Sequence, residues 1–486
     1  MKICLFSDLH LPRWKDALQY DVLRWAIENM KEKCPDAILF VGDVSADGDE
    51  GVYDHFLSCM RALSLPFFYI PGNSDLRSPD TRASILKKSS PMQNHLGEIT
   101  VFAVNDADGT VSDEALSLLE GADKSSLVFM HHPIEEHTAS CAAALAKWRK
   151  AHPETMLFFA HLHRFTVEES TVCLPALDPD KNIGEPPALV YFDTEEGSFS
   201  LSHFPVSLPR DVTSYFGISC YRTGEQIPFA ISRGIRYLEL RPNAVKSDPE
   251  ELLALIERWR KNGGVGLSLH LPDVGYRDGA VFFEDGYDEV LALAKMLRAD
   301  RVTQHVPKVA IGEIEKNPLV LSEICEAICA RLDTLPERIT IGVENMHMTA
   351  SEKADAHRRF GYTPSECLAF MEGLKGVSRH RVGINFDIGH ARNNAPYSQT
   401  YPISTWLSML GEHIVGYHIH QVTYEDGVFE NHMPITDVYG KLISYASFFK
   451  LWELGTIARA PFVFEMRPEG AYETTLATFQ QFDLEM

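Results

Sequence analysis

Five short polar motifs follow apolar stretches in the N-terminal part of the chain. They are Asp8-Leu9-His10, Gly42-Asp43, Gly72-Asn73-Ser74-Asp75, His131-His132-Pro133 and His161-Leu162-His163. Carboxylates, imidazoles and an amide are the ligands of paired divalent metals, which activate water and hold both oxygens of an in-line displacement at phosphorus. The mixture of nitrogen and oxygen donors favours Mn, Fe, Zn, Ni or Co over Ca or Mg.

The residue types in these motifs suit different places around a metal pair. Asp43 is suited to bridge the two metals. The other ligands divide into one set for each metal, which are Asp8, His10 and His163 for the first and Asn73, His131 and His161 for the second. We therefore expect two divalent metals in the N-terminal half.

A second group of acidic and imidazole side chains lies in the C-terminal half, at or just beyond the ends of predicted strands. Its members are His270, His305, Glu344, Asp387, His390, His418, His420, Glu430, His432 and Glu465. Buried groups of this kind repel or desolvate one another where they converge, unless a cation is bound. Arg241, Arg277 and Arg467 also lie near predicted strand ends, where a guanidinium could hold a phosphate through two hydrogen bonds.

The elements that must position the first five motifs are short strands alternating with amphipathic helices. Helical patterns cover 16–33 and 53–63. The predicted strands are 2–6, 37–41, 67–70, 100–104, 127–130 and 156–159, followed by a hairpin of 188–192 and 198–204. Each motif directly follows a strand, and open α/β folds bind their ligands at the carboxyl ends of strands.

A second series of strands and helices follows a linker predicted at 207–210. Its strands are 215–220, 237–240, 266–270, 301–305, 339–344, 382–387, 415–420 and 462–465. Eight strand–helix repeats in about 275 residues predict a (β/α)8 barrel, in which catalytic groups come from the C-terminal ends of the strands.

The overall composition limits the classes of partner. The chain is acidic, with a net charge of -23 over 486 residues. That balance disfavours stable nucleic-acid binding, which needs lysine and arginine, but it is compatible with a small phosphorylated substrate. No apolar run approaches the roughly 18 residues of a membrane span. Nine cysteines without a paired framework or a secretion signal predict a cytoplasmic location. The sequence does not indicate the oligomeric state.

The ordered N-terminal motifs resemble those of the calcineurin-like metallophosphoesterase superfamily. The resemblance implies a domain over residues 1–206 that folds as a four-layer αββα sandwich and acts as a two-metal phosphoesterase. The ligand roles given above transfer position by position, and of the adjacent His131 and His132 the family pattern selects His131. The resemblance further implies that Asp43 and Asn73 are catalytic.

Position 74 departs from the common family pattern. Ser74 stands where many members have a histidine, which is assigned to polarising the phosphate or assisting the leaving group. We expect Ser74 to contact the substrate, together with Arg241, Arg277 and Arg467 of the C-terminal half.

The C-terminal set resembles that of the xylose isomerase-like barrel superfamily, over a domain of residues 213–486. This superfamily includes sugar isomerases and epimerases and the endonuclease IV-type nucleases. The epimerase branch implies one metal, held by Glu344, Asp387, His418 and Glu465. The nuclease branch implies three zinc ions and nine ligands, which here are His270, His305, Glu344, Asp387, His390, His418, Glu430, His432 and Glu465, with Glu430 in place of an aspartate. We therefore expect one to three metals, Zn or Mn, and catalytic roles for Glu344 and Glu465.

Together these patterns predict a bifunctional metal-dependent phosphoesterase of the α/β class. The N-terminal site is expected to hydrolyse a small phosphodiester or phosphomonoester, such as a nucleotide or sugar phosphate, with a metal-bound hydroxide. The barrel is expected to carry out a second phosphoester hydrolysis. One alternative makes the barrel a single-metal sugar isomerase or epimerase coupled to an N-terminal phosphatase. Another is a non-catalytic metal-binding scaffold.

Overall fold

The structure, a computed structural model, describes residues 1–353, 358–425 and 428–485. The chain divides into two compact units. The first comprises Met1–Val206 and Asp437–Ser447, and the second comprises Ser207–Thr436 and Phe448–Met486. The first unit is therefore built from two separate stretches of sequence. Within the described ranges, every helix is too short or too polar to cross a lipid bilayer.

Two sheets make up the centre of the first unit. Their strands are β1 (Lys2–Phe6), β2 (Ala37–Val41), β3 (Phe67–Ile70), β4 (Gln93–Leu96), β5 (Ile99–Ala103), β6 (Leu127–Phe129), β7 (Met156–Phe159), β8 (Thr166–Glu168), β9 (Thr171–Cys173), β10 (Ala188–Asp193) and β11 (Ser198–His203). One sheet has the strand order β11-β10-β1-β2-β3, and the other has the order β4-β5-β6-β7-β9-β8. In the first sheet, β1, β2 and β3 are parallel neighbours, so their carboxyl ends meet at one edge.

The two sheets pack face to face, and helices cover their outer faces. Leu5 and Leu39 of one sheet share a buried apolar cluster with Phe129 and Phe158 of the other. The helices of this part are α1 (Leu18–Lys33), α2 (Glu50–Arg61), α3 (Pro79–Ile85), α4 (Asp113–Leu119) and α5 (Ala139–Ala151). On the outer face of the first sheet, Phe56 of α2 packs against the rings of Phe6 and Phe40. Helices α4 and α5 contribute Leu119, Leu145 and Trp148 to a second cluster on the other sheet.

The second unit is a closed barrel with two added hairpins. Its strands are β12 (Phe216–Cys220), β13 (Tyr237–Leu240), β14 (Gly266–His270), β15 (Val274–Arg277), β16 (Ala280–Phe283), β17 (Arg301–His305), β18 (Thr340–Glu344), β19 (Val382–Asp387), β20 (Ile414–Ile419), β21 (Gln421–Glu425), β22 (Val428–Met433) and β23 (Phe462–Phe464). The barrel closes in the order β12-β13-β14-β17-β18-β19-β20-β23, and each neighbouring pair is parallel. Strands β15 and β16 form one hairpin, and β21 and β22 form the other.

Helices connect the strands of the barrel. They are α6 (Thr223–Ser232), α7 (Pro249–Lys261), α8 (Tyr287–Met296), α9 (Ile311–Lys316), α10 (Leu319–Leu332), α11 (Ala350–Lys353), α12 (Pro364–Val377), α13 (Ile388–Arg392), α14 (Tyr397–Thr400), α15 (Ile403–Leu410), α16 (Ala446–Glu453) and α17 (Ala471–Glu485). Short 3-10 helices cover Ser74–Leu76, Ile134–Glu136, Val212–Tyr215, Pro242–Lys246 and Gly411–His413. The predicted α/β architecture, with a two-sheet unit before an eight-stranded parallel barrel, is confirmed.

The strands that the sequence did not predict are short or lie at edges. Strands β4, β8 and β9 have three or four residues each; β4 and β8 lie at the two ends of the second sheet, and β9 is next to β8. Strand β4, with the sequence Gln-Asn-His-Leu, contains one apolar residue, so it gives no hydrophobic signal. The hairpin strands β15, β16, β21 and β22 were also missed. They lie outside the barrel, and each hairpin begins only a few residues after a barrel strand ends, so no clear break in the sequence separates the two.

Helix α7 offers a test of local stabilisation in the barrel unit. The Asp248 carboxylate accepts hydrogen bonds from the N–H groups of Glu250 and Glu251, and Pro249 occupies the first turn. Asp248→Ala is expected to lower the free energy of unfolding by about 1 kcal/mol, because two N–H groups lose their acceptor. Equilibrium urea unfolding followed by circular dichroism would measure this. Glu257→Ala, at an exposed position of the same helix, is the control, and equal stability of the two variants would contradict the prediction.

Candidate metal centres

Sharp turns after β1, β2 and β7 bring the expected N-terminal ligands together. Five of them have backbone φ in the left-handed region, with values of 51° at Asp8, 44° at His10, 62° at Asp43, 66° at His161 and 55° at His163. This conformation costs a non-glycine residue of the order of 1–3 kcal/mol and persists only where the surrounding structure imposes it. The strain is thus concentrated where the polar side chains leave the strands.

The first set of ligands forms a buried group. Asp8, His10 and His163 present ligand atoms within 4.8 Å of one another. His163 Nε2 lies 3.4 Å from Asp8 Oδ1, and His10 Nε2 lies 3.1 Å from Asp43 Oδ2. Asp8 and His10 are buried, whereas the side chain of His163 is 17% exposed. The opening to solvent on this side is therefore at His163.

The second set shares Asp43 with the first. His131 Nε2 lies 3.5 Å from Asp43 Oδ2 and 3.0 Å from Asn73 Oδ1. His161 Nδ1 lies 3.4 Å from the same His131 nitrogen. The other ring nitrogen of His131, Nδ1, lies 2.8 Å from the Val41 carbonyl oxygen, so it donates there and leaves Nε2 directed at the site. Asp43 thus lies between the two sets, as a bridging carboxylate must.

Two glycines allow this close approach. A Cβ on Gly72 would lie 2.2 Å from Asp43 Oδ1, and a Cβ on Gly42 would lie 2.5 Å from His131 Nδ1. Gly42 also has a φ of 89°, which side chains disfavour. These glycines belong to the motifs because any side chain would displace a ligand.

Ser74 supports Asp43. Its backbone N–H donates to Asp43 Oδ1 at 2.8 Å, and its hydroxyl donates to the Ser45 carbonyl oxygen at 2.7 Å. The residue has no exposed surface. Ser74 therefore orients the Asp43 carboxylate, and its hydroxyl is buried, which differs from the substrate contact that we expected.

Two further carboxylates of this unit orient the ligands and were missed from the sequence. Asp106 accepts hydrogen bonds from the N–H groups of His131 and His132, at 2.7 and 2.8 Å. Asp178 Oδ2 lies 3.3 Å from His10 Nδ1. Neither aspartate lies in a motif or next to a ligand in sequence, so no local pattern identifies them. His132 contacts Asp106 through its own Nδ1 as well, and it also forms a group of possible metal ligands with His131 and His161.

The electrostatics of the N-terminal centre fit bound cations. Burial tends to raise the pKa of Asp43, but the adjacent His131 and His10 rings outweigh it and hold the pKa well below its usual value. Burial lowers the pKa of His131, but the neighbouring Asp43 carboxylate outweighs burial and raises that pKa to about 10. Asp8 Oδ1 is buried without a hydrogen bond to any described residue. Buried carboxylates with nitrogen and oxygen donors around them fit two divalent metals.

The barrel gathers its acidic and imidazole groups at the carboxyl ends of its strands. His270, His305, Glu344 and Asp387 end β14, β17, β18 and β19, His418 lies near the end of β20, and Glu465 directly follows β23. Two groups of possible ligands form there among the described residues. One comprises His270, His305 and Glu344, and the other comprises Glu344, Asp387, His418 and Glu465. Glu344 belongs to both groups.

The distances show how closely the second group converges. His418 Nδ1 lies 2.9 Å from Glu465 Oε2 and 3.1 Å from Glu344 Oε1. Asp387 Oδ2 is 3.9 Å from the same nitrogen. In the first group, His270 Nε2 lies 3.1 Å from Glu344 Oε2. His305 Nε2 lies 3.5 Å from Glu344 Oε1, and its Nδ1 lies 2.5 Å from Asp273 Oδ1, which fixes the direction of the ring.

Of the remaining three of the nine expected ligands, two lie beside the site and one does not. His390 Nδ1 lies 3.5 Å from Glu344 Oε1, and His432 Nδ1 lies 3.6 Å from Glu465 Oε1. His390 and His432 are buried, with ring centroids 5.7 Å apart. Glu430 is exposed on β22 opposite Thr423, and it belongs to no ligand group among the described residues. The register shifts in this hairpin, and His432 has a φ of 63°, so the bulge turns His432 inward while Glu430 faces solvent. The structure therefore does not bring Glu430 into the site expected for it.

The three arginines have different positions. Arg241 lies in the site, with Nη1 2.9 Å from Glu465 Oε1 and a side chain that is 14% exposed. Arg277 lies on the β15 hairpin over the ring of Phe282, with 77% of its side chain exposed. Arg467 is exposed two residues after Glu465. Arg277 therefore lies outside the barrel site, which differs from the expected substrate-binding role.

Glu239 is a member of the barrel site that the motifs did not reveal. It is fully buried in β13, and its Oε1 lies 2.7 Å from His418 Nε2. Its other oxygen accepts hydrogen bonds from Ser268 and Thr303, at 3.0 and 2.7 Å. A carboxylate inside the apolar strand Tyr-Leu-Glu-Leu was the available signal. Glu239 holds His418 so that Nδ1 faces the other acids.

The charge balance of the barrel site also fits a bound cation. Burial raises the pKa of Glu344, but His418 and His305 outweigh it, so the pKa lies well below its usual value. Burial lowers the pKa of His418, and Glu239 and Glu344 raise it well above the usual value. Glu344 Oε1, Glu465 Oε2 and His418 Nδ1 are buried and make no hydrogen bond to a described residue. Three converging donor atoms without other bonds suit metal coordination.

Comparisons with known proteins agree with this division of the chain. Residues 228–482 match the xylose isomerase-like TIM barrel family, and residues 1–165 match the calcineurin-like phosphoesterase family. The chain is 31% identical over 123 residues to a probable glycerophosphodiester phosphodiesterase of Arcobacter nitrofigilis, which covers 22% of this chain and 45% of that protein. It is 27% identical over 157 residues to a probable cyclic nucleotide phosphodiesterase of Xenorhabdus bovienii, which covers 27% of this chain and 63% of the relative.

The chain thus spans less than two thirds of the length of either curated relative. Among solved structures, a Thermus thermophilus protein from a crystal soaked with zinc chloride is 21% identical, with a TM-score of 0.38. That match covers 56% of this chain and 99% of the other. Given the two family matches, the chain joins a calcineurin-like phosphoesterase domain to a C-terminal domain that belongs to the xylose isomerase-like TIM barrel family.

Proposed function

We propose that the first unit is a metal-dependent phosphodiesterase that acts on a small phosphorylated molecule. The observation that carries the proposal is the position of Asp43, whose Oδ2 lies 3.1 Å from His10 Nε2 and 3.5 Å from His131 Nε2. A single carboxylate oxygen therefore faces both ligand sets. The two relatives named as phosphodiesterases support a diester substrate.

The residues of this unit would have separate tasks. Asp8, His10 and His163 would hold one metal, and Asn73, His131 and His161 the other, with Asp43 between them. When bound, such a pair lowers the pKa of a coordinated water and offsets the charge of the phosphate. The ring of His161 is 28% exposed, so substrate would approach past His161 and His163. Ser74 is buried and its hydroxyl donates to the Ser45 carbonyl oxygen, so the diester would need a leaving group that departs without a histidine at that position.

For the barrel, we propose hydrolysis of a second phosphoester at two metals that share Glu344. The group of His270, His305 and Glu344 supports this proposal, because a single-metal site needs only the other group. The guanidinium of Arg241, which lies beside Glu465, would bind a phosphate oxygen. The exposed position of Glu430 argues against a complete third site.

The alternative for the barrel is a sugar isomerase or epimerase with one metal. Glu344 and Glu465 support it, because both carboxylates lie about His418, at 3.1 and 2.9 Å from its Nδ1. Two opposed carboxylates could remove and return a proton on a substrate bound between them.

Asp43→Asn tests the first proposal. The change keeps the shape of the side chain but removes the charge that faces both ligand sets. We expect hydrolysis of bis(4-nitrophenyl) phosphate to fall by roughly 10²–10³-fold, the scale for losing one group that stabilises the transition state. Asp80→Asn, at an exposed aspartate of α3, should leave the rate unchanged. Undiminished turnover in the Asp43 variant, with unchanged circular dichroism and with Glu344→Gln also introduced to disable the barrel site, would refute the assignment.

Glu344→Gln tests the barrel proposal by metal content. With two metals in each unit, elemental analysis should find about four per wild-type chain and about two in the variant, since Glu344 belongs to both barrel groups. Glu469→Gln, at an exposed glutamate, is the control. A result of about three metals per wild-type chain, together with incorporation of solvent deuterium into a sugar, would contradict barrel hydrolysis and support the isomerase alternative.

A further inference from the structure

The first unit contains a segment that the chain reaches only after strand β22 of the barrel. This segment, Asp437–Ser447, belongs to the same compact unit as Met1–Val206. Within that unit, the Gly184 N–H donates to the Tyr439 carbonyl oxygen at 3.0 Å. The Ser444 N–H donates to the Asp180 carbonyl oxygen at 3.2 Å. The segment therefore lies against the loop of residues 176–184, which we call the 176–184 loop.

The 176–184 loop is hydrogen-bonded to the backbone that carries the metal ligands. The Asp178 N–H donates to the carbonyl oxygen of Asp8 at 2.9 Å. At the other end of the loop, the Ile183 N–H donates to the carbonyl oxygen of His163 at 3.1 Å. Asp8 and His163 belong to the same ligand set. The loop therefore holds the backbone at two of the three residues of that set.

A chain of buried polar side chains links the same segment to the third ligand of that set. The Ser447 hydroxyl donates to Asp180 Oδ1. The Gln19 amide donates to Asp180 Oδ2 and to Asp178 Oδ1, both at 3.1 Å. Asp178 Oδ2 then lies 3.3 Å from His10 Nδ1. All five side chains are at most 3% exposed.

Because these hydrogen-bonded side chains are buried, the loss of any one donor would leave a carboxyl group without a replacement from water. Two carboxyl groups, Asp178 and Asp180, are removed from water, and each needs hydrogen bonds to replace its hydration. Ser447 and Gln19 supply bonds to Asp180, and Gln19 holds both carboxylates in one orientation. A change at Ser447 would therefore be felt at Asp178, and through it at the ring of His10.

We propose that Asp437–Ser447 is a positioning element of the phosphodiesterase centre, with Ser447, Asp180, Gln19 and Asp178 fixing the ring of His10 for its metal. The phosphodiesterase centre is then completed by a segment encoded in the second half of the chain. This inference rests on the proposed function, because it concerns the same metal centre. None of the four residues touches the substrate, so each is a positioning residue.

The test is manganese binding to the full-length chain. Metal-free protein of the wild type, Ser447→Ala and Ser447→Thr is loaded with Mn²⁺, dialysed, and analysed for manganese per chain at a series of free Mn²⁺ concentrations. Ser447→Ala is expected to bind its weakest N-terminal manganese about 10-fold less tightly, the lower end of the range for partners of metal ligands. Ser447→Thr retains the hydroxyl and should restore wild-type affinity.

Two further variants make the outcome decisive. Ser408→Ala removes a half-buried hydroxyl of the second unit that has no hydrogen-bond partner among the described residues, and it should bind manganese as the wild type does. Asp180→Asn keeps the size of the side chain and removes its charge, and it decides the question if Ser447→Ala does not fold. We expect it to weaken manganese binding in the same direction.

Hydrolysis of bis(4-nitrophenyl) phosphate on the same samples separates this inference from the proposed function. A positioning role predicts that the Mn²⁺ concentration for half-maximal activity rises about 10-fold while the rate at saturating Mn²⁺ stays within about twofold. Wild-type manganese affinity in a folded Ser447→Ala or Asp180→Asn variant would overturn the positioning role. A wild-type protein that binds manganese but hydrolyses no diester would overturn the proposed function, and the binding comparison would still test the positioning role.

Discussion

Buried negative charge that needs compensation is the constraint on which both centres depend. In the barrel, Glu239, Glu344, Asp387 and Glu465 are at most 1% exposed, and they lie at the same end of the strands. Ionised groups are stable there only with cations or donors close by. The pKa of His418 is raised despite burial because Glu239 and Glu344 favour its charged form. The first unit has a different fold but the same pattern of buried carboxylates beside histidines. In both units, bound metals could offset the charge of these carboxylates.

Backbone geometry, more than side-chain length, determines which residues reach these centres. In the first unit, left-handed φ values directly after the strands turn Asp8 and Asp43 toward each other, and Gly72 leaves room for Asp43 Oδ1. In the barrel, one bulge decides between two residues of a hairpin, since His432 turns inward and Glu430 does not. Local conformations that cost free energy are thus found at the places where ligands are selected.

The convergence of polar residues at the ends of strands could be predicted from the sequence, and residues that support them from a distance could not. Asp43 and Glu344 were located because each ends or directly succeeds a buried apolar run, and parallel strands carry such residues to a common edge. Asp178 and Asp106 were missed, because their contacts with His10 and His131 join residues far apart in sequence. The bulge that exposes Glu430 depends on pairing within a hairpin that has no strong hydrophobic pattern. Family patterns name the ligands, but tertiary contacts decide which of them converge.

The discontinuous make-up of the first unit has a consequence for biosynthesis. Translation delivers Met1–Val206 first and Asp437–Ser447 only after strands β12 to β22 of the second unit have been made. Until the ribosome has passed residue 447, Asp180 lacks the Ser447 hydroxyl as a donor. The N-terminal unit therefore has its full set of contacts around Asp180 only after most of the polypeptide has been synthesised. A gene interrupted between the two units would encode a first unit without its final segment.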